Sequence, residues 1–199
     1  MAYLARAFQA HAPPGPLVDL GCGHGRHASP LNTHGALRGR VLGLELDSLS
    51  LRERLPGFPA VRGDLRSLPF RTASLAGAYA WYSTLFVFSD AEHEALLREV
   101  ARCLRPGGLL VLHTQPRERM ASSPEASFSG ELPGVGFLEE HSRFDAARGR
   151  DESTRTLTLP EGRVLSGRFV IRYYGIDELT QLLESTGFSV RWVHGNLEG

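Results

Sequence analysis

The stretch Leu17-Val18-Asp19-Leu20-Gly21-Cys22-Gly23-His24-Gly25-Arg26-His27 limits the fold more than any other part of the chain. Its first four residues read as a short buried strand. Glycines then follow at alternate positions, so the backbone can turn sharply with no Cβ in the way and a ligand can lie against the main chain. A helix opening directly afterwards would point free N–H groups into the same crevice. In an open α/β sheet, that crevice beyond the strand ends is where ligands bind. The spacing is not that of a dinucleotide fingerprint, because Arg26 stands where the third glycine of G-x-G-x-x-G belongs. A phosphate loop of the Walker type needs a lysine, and the chain has none.

Length and composition narrow the reading. The 199 residues suit one domain with a proper core. Net charge is zero, which argues against polymeric nucleic acid as a partner. All 22 cationic side chains are arginine, so lysine Schiff-base chemistry is excluded. Cys22 and Cys103 are isolated and make neither a disulfide framework nor a zinc site. No signal-peptide pattern or membrane-length apolar run is present, and a cytoplasmic protein is expected.

Further parts follow in order. Tyr3 to His11 has helical spacing and stops at Ala12-Pro13-Pro14-Gly15-Pro16. His27 to Gly35 is expected to be helical. Val41 to Leu46 is an apolar second strand ending at Glu45, with Asp47 and Ser48 starting a helix. A carboxylate here can accept both hydroxyls of a ribose; the plainer reading is that Glu45 or Asp47 caps the next helix. Ala60 to Arg62 is a third strand, followed by Gly63-Asp64-Leu65, where Asp64 suits either a turn or an exocyclic amine. Leu75 to Tyr82 is the fourth strand. Ser89-Asp90-Ala91-Glu92 opens a helix that buries Leu96, Leu97, Val100 and Leu104. Arg105-Pro106-Gly107-Gly108 ends it, and Leu109 to Leu112 is the fifth strand.

The C-terminal part is less regular. Gln115 to Gly136 shows no period and is expected to be a long loop. Phe137 to Phe144, Ser153 to Leu159 and Arg163 to Tyr173 read as antiparallel strands, with turns at Gly149 and Glu161-Gly162. Ile176 to Thr186 is a last helix stopped by Gly187. Phe188 to Val193 is expected to be a final strand.

From Asp19-Leu20-Gly21-Cys22-Gly23-His24-Gly25 through Leu104-Arg105-Pro106-Gly107-Gly108-Leu109, the chain resembles class I S-adenosylmethionine (SAM)-dependent methyltransferases. The resemblance implies a Rossmann-like, doubly wound α/β fold with a mostly parallel sheet, in a single domain over 1–199. It implies an antiparallel cap inserted at 116–172, before the last helix. It places Asp19, Gly21, Cys22, Gly23 and Gly25 at the methionine moiety of SAM, and Glu45 at the ribose. Asp64 and Leu65 would meet the adenine, with Ala80 and Trp81 beside the cofactor. Arg26 would meet the cofactor carboxylate or lie on the surface.

Tyr82 and His113, at the ends of strands four and five, are the candidate catalytic groups. A histidine after an apolar strand also suits a purely structural role. Arg168, Arg172, Tyr173 and Tyr174 on the cap are candidates for holding a carboxylate, phosphate or ring. The site after strand four, Ala80-Trp81-Tyr82-Ser83, lacks the Asn/Asp-Pro-Pro-aromatic motif of enzymes that methylate nucleic-acid amines. The expectation is methyl transfer to an oxygen or nitrogen of a small molecule. The alternatives are an RNA or protein methyltransferase, or a non-catalytic SAM-binding partner subunit. One departure from the family stands out: its sheet closes with two strands after the last helix, and here there is room for one. A second subunit, as in a homodimer, is one way to fill that slot.

Overall fold

A computed structural model describes residues 2–33 and 35–196. The chain divides into two compact units. One holds the residues up to Leu85, Asp90–His113 and the residues from Thr180 onward. The other holds Phe86–Ser89 and Thr114–Leu179.

The first unit begins with helix α1 (Ala2–His11), which buries Leu4, Ala7 and Phe8 at helical spacing. Strand β1 (Leu17–Leu20) is buried throughout. Helix α2 (Ala28–Thr33) is one and a half turns long and gives way to a 3₁₀ turn at Gly35–Leu37, shorter than the periodicity suggests. Strand β2 (Val41–Glu45) leads into α3 (Ser48–Arg52), then β3 (Ala60–Arg62) and β4 (Leu75–Ala80). Helix α4 (Asp90–Cys103) buries Leu96, Leu97 and Val100, and β5 (Leu104–Leu112) follows directly. The expected break at Pro106-Gly107 survives as an irregularity: between Leu75 and Gly77, the pairing of β4 steps from Leu104 to Leu109.

The strand order is β3-β2-β1-β4-β5 and every pairing is parallel. This is the doubly wound, Rossmann-like arrangement, with β1 in the middle and its C-terminal end between β2 and β4. Phe8, Leu17, Val41, Ala76 and Tyr79 belong to the core.

Two expectations fail. Phe188 to Val193 forms no strand, so among the described residues the parallel sheet ends at β5. Its alternation of apolar and polar residues is overridden by Trp192, whose indole donates to the Tyr3 hydroxyl at 3.0 Å and packs 4.7 Å from the His11 ring. The segment Gln115 to Gly136 is not a structureless loop. It holds helix α5 (Arg117–Ser122), entered through Pro116, and strand β6 (Glu125–Leu132). Glycine, serine and glutamate give β6 little strand propensity. Full-length antiparallel pairing with the next strand imposes it.

The second unit contains α5 and a four-stranded antiparallel sheet in sequence order: β6, β7 (Gly136–Asp145), β8 (Arg150–Thr158) and β9 (Val164–Arg172). Gly149 makes the β7–β8 turn at φ +65°, with its N–H donating to Asp145 O at 2.8 Å. Helix α6 (Ile176–Ser185) runs from this unit back into the first.

Candidate active site

The glycine turn after β1 is held from two sides. Glu45, at the tip of β2, accepts from the Gly23 N–H at 2.8 Å through one oxygen. The other oxygen accepts from the Leu46 and Asp47 N–H groups at 2.8 and 2.9 Å. Asp47, not Glu45, caps α3, accepting from the Leu49 and Ser50 N–H groups. The two readings of this acidic pair are thereby separated: Asp47 serves the helix, and Glu45 faces the turn.

The glycines are required for different reasons. A Cβ on Gly25 would lie 2.1 Å from the Phe58 ring, and one on Gly21 would lie 2.3 Å from the Thr84 methyl. A Cβ on Gly23 would meet nothing within 4 Å. All three have positive φ. Gly21 and Gly25 are thus close-packed against the protein, while Gly23 borders open space.

Asp19 is buried between Gly43 and Tyr79, its partners on either side of β1. Neither Asp19 Oδ2 nor the Tyr79 hydroxyl has a hydrogen-bond partner. Burial pushes the Asp19 carboxyl up to about 7; the Tyr79 phenol and Arg26 oppose the rise, and Glu45 adds to it. Cys22 is also buried, its sulfur filling the space a Gly43 side chain would need. Burial, with the nearby Asp19 and Glu45 charges, pushes its thiol up to about 12. It is a packing residue, not a nucleophile.

Asp64 lies past β3, as expected, but its carboxylate is largely occupied. Arg66 grips both oxygens, at 3.1 and 2.8 Å, and the Arg66 N–H adds a third bond. These bonds pull the Asp64 carboxyl down to about 2. Leu65 is half-buried and borders Gly21.

The ends of β4 and β5 are tied together. The His113 N–H donates to Ala80 O at 3.0 Å, and the Ser83 N–H donates to His113 O at 2.9 Å. The Tyr82 N–H donates to His113 Nδ1 at 3.3 Å. Tyr82 and Ser83 both sit in the left-handed region, at φ +57° and +60°. Two such residues in succession store strain of about 1–3 kcal/mol each. The His113 ring stacks on Trp81 at 4.6 Å, and Tyr82 meets its edge at 5.1 Å. His27 packs against both Trp81 and Tyr82, and the Arg26 guanidinium lies 4.9 Å over the Tyr82 ring.

Residues 17–108 match the family described as a methyltransferase domain. This segment is a methyltransferase domain. The chain is 30% identical over 190 residues to phthiotriol/phenolphthiotriol dimycocerosates methyltransferase 1 of Mycobacterium ulcerans, covering 88% of this chain and 65% of that protein. It spans 34% to 65% of the lengths of the curated relatives it matches. The CcbJ methyltransferase of Streptomyces caelestis superposes with a TM-score of 0.78 at 22% identity, over 98% of this chain and 81% of that one. A SAM-bound amino pentose methyltransferase of Micromonospora echinaspora gives 0.73 at 24% identity, over 98% and 84%. The class I resemblance read from the glycine turn is borne out.

Within the methyltransferase domain and its C-terminal extension, the expected site residues fall into groups. Asp19, Gly21, Cys22, Gly23, Gly25, Glu45 and Leu65 gather at the turn. Arg26, Ala80, Trp81, Tyr82 and His113 gather at the β4–β5 tips. Arg172 is buried, pairs with Glu178, donates to Tyr173 O at 2.6 Å and lies 4.1 Å over the Tyr174 ring, all within its own unit. Tyr173 and Tyr174 are buried as well, and Arg168 is exposed on β9. The sequence reading missed His27, Phe58 and Thr84. His27 carries a signal, being the last residue of the glycine-rich stretch; Phe58 lies in an irregular segment and Thr84 opens a 3₁₀ turn (Thr84–Phe86), and neither carries one.

Proposed function

We propose that this chain binds SAM at the glycine turn and transfers its methyl group to an oxygen or nitrogen of a small molecule. The supporting observation is Gly23. Its N–H is fixed by Glu45 while the side-chain direction is open, so a ligand can approach the backbone there. The buried, unpartnered Asp19 oxygen beside the turn suits a cofactor carrying positive charge. SAM supplies a methyl group on a sulfonium, a good leaving group. Asp19, Gly21, Cys22, Gly23, Gly25 and Leu65 are the residues proposed to line its site, with Glu45 toward the ribose. Asp64 has one lone-pair direction left beside Arg66 for the adenine amine. Ala80 and Trp81 complete the site.

The remaining work is alignment and exclusion of water. Tyr82 and His113 are the proposed acceptor-side groups. Burial holds the His113 imidazole below its usual pKa, and burial and Arg26 push His27 down to about 4, so both rings are neutral at neutral pH. With a net charge of zero, a small-molecule acceptor is favoured over nucleic acid. A cytoplasmic location and pairing of two copies along β5, the last strand of the sheet order, belong to the same proposal. No helix among the described residues is long and apolar enough to cross a membrane.

Calorimetry with SAM tests the reading. Binding that is weakened by about tenfold or more in Glu45→Ala supports it. No binding by the wild type, or equal binding by the variant, rejects it.

A further inference from the structure

Among the described residues, the tips of β4 and β5 carry mainly hydrogen-bond donors, and the neighbouring His27, held at about 4, is a weak base. His113 Nδ1 is used as an acceptor by the Tyr82 backbone N–H. A neutral imidazole with Nδ1 accepting carries its proton on Nε2, so the remaining ring nitrogen is a donor. The Trp81 indole adds a donor only. The Tyr82 side chain is 58% exposed and carries a hydroxyl. Arg26, over the Tyr82 ring, has five donors and forms no ion pair among the described residues. None of the ring and cation contacts of Arg26, His27, Trp81, Tyr82 and His113 involves a carboxylate. The backbone at Tyr82 and Ser83 is held in the left-handed region to keep this arrangement.

A donor set of this kind is poor at removing a proton and good at holding an anion. An amine or alcohol acceptor arrives protonated and needs a base to take its proton. A carboxylic acid, with a pKa near 4, arrives already ionised. We infer that the methyl acceptor is a carboxylate, oriented by the His113 Nε2–H and Arg26, and that the product is a methyl ester. The inference rests on the proposed SAM-dependent transfer and names the acceptor class of that same site. A carboxylate oxygen forms the new O–CH3 bond as the S–CH3 bond breaks. The electron pair of the broken bond stays on sulfur, and no proton is released. One negative and one positive charge become a neutral ester and a neutral thioether.

The proposal is tested on the intact protein without turnover. Nitrogen NMR of imidazole-labelled protein near neutral pH is expected to show the His113 proton on Nε2. Benzoate is expected to shift the His113 and Tyr82 resonances and to bind at least about tenfold tighter than benzylamine or benzyl alcohol. Arg26→Gln, at an exposed position, is expected to weaken benzoate by about tenfold. A proton found on Nδ1 overturns the proposal. So does benzoate that binds no better than benzylamine, or a benzoate affinity unchanged by Arg26→Gln. Failure of SAM to bind in calorimetry would reject the underlying reading, a separate outcome from any of these.

Discussion

The turn after β1 and the turn after β4 use the same left-handed backbone in opposite ways. At Gly21, Gly23 and Gly25 the positive φ falls on glycine, which adopts it freely, and at Gly23 it leaves open space beside the backbone. At Tyr82 and Ser83 it falls on residues with side chains, held there by bonds to His113. The first turn works by what is absent. The second works by what it presents, and it carries strain to do so.

The sharpest way to break this contrast is to put side chains into the first turn. Gly25→Ala would place a methyl 2.1 Å from Phe58 at φ +82°. Left-handed strain of about 1–2 kcal/mol and overpacking of about 1–3 kcal/mol together reach about 5 kcal/mol of destabilisation. Urea unfolding checks it, and adding Phe58→Ala should recover part of the loss. Gly23→Ala meets no neighbour, so only the backbone term of about 1–2 kcal/mol applies to stability. Yet SAM binding should fail there as completely as in Gly25→Ala. Equal stability losses at the two positions would show that the turn is simply close-packed throughout.

Asp19 comes next in size. Its folded pKa of about 7 lies above the ordinary carboxylate value, so between these two values the native state holds a proton that the unfolded chain has released. The Asp19 contribution to stability therefore falls as pH rises from about 4 to about 7, by about 4 kcal/mol for a shift of this size, while His27, held at about 4, contributes the opposite trend over most of the same window. The difference in melting temperature between wild type and Asp19→Asn, both ligand-free, should therefore change across this window, the wild type losing ground as pH rises. A difference that moves the other way with pH would mean that Asp19 is ionised and paired.

Much of this first region was legible in the sequence, and the reason is physical. A turn made by missing side chains must be written in glycine, and a carboxylate at a strand tip shows in the spacing. β1, β3 and α1 stand where periodicity placed them. The second turn was not legible as strain, because nothing in Ala80-Trp81-Tyr82-Ser83 announces a left-handed pair. The bonds that hold it come from His113, far along the chain. β6 was missed for the same kind of reason: its pairing with β7 outweighs its composition. Phe188 to Val193 was over-read, since alternation makes a strand only where an edge accepts it, and Trp192 docks on α1 instead.

Glu45 sharpens the comparison at intermediate size. Glu45→Ala removes the acceptor of three backbone N–H groups. A loss of SAM affinity of about ten- to a hundredfold is expected from a charge-assisted contact of about 1.5–3 kcal/mol. Asp47→Ala, which uncaps α3 and touches no part of the turn, should lower stability by about 1 kcal/mol and leave affinity alone. Equal effects of the two on calorimetric affinity would mean that Glu45 acts only through the loop.

The smallest expected effect is the most diagnostic for the second turn. Tyr82→Gly removes an exposed ring and relieves a left-handed non-glycine residue. The released strain should raise stability by about 1 kcal/mol, or a few degrees of melting temperature. The ring's contacts with Arg26, His27 and His113 go at the same time, and acceptor-side binding should weaken. A variant that is more stable and binds worse would mean that the strain at Tyr82 is kept for presentation of the ring. A variant that loses stability would mean that the ring's packing outweighs the strain, making this turn an ordinary part of the fold.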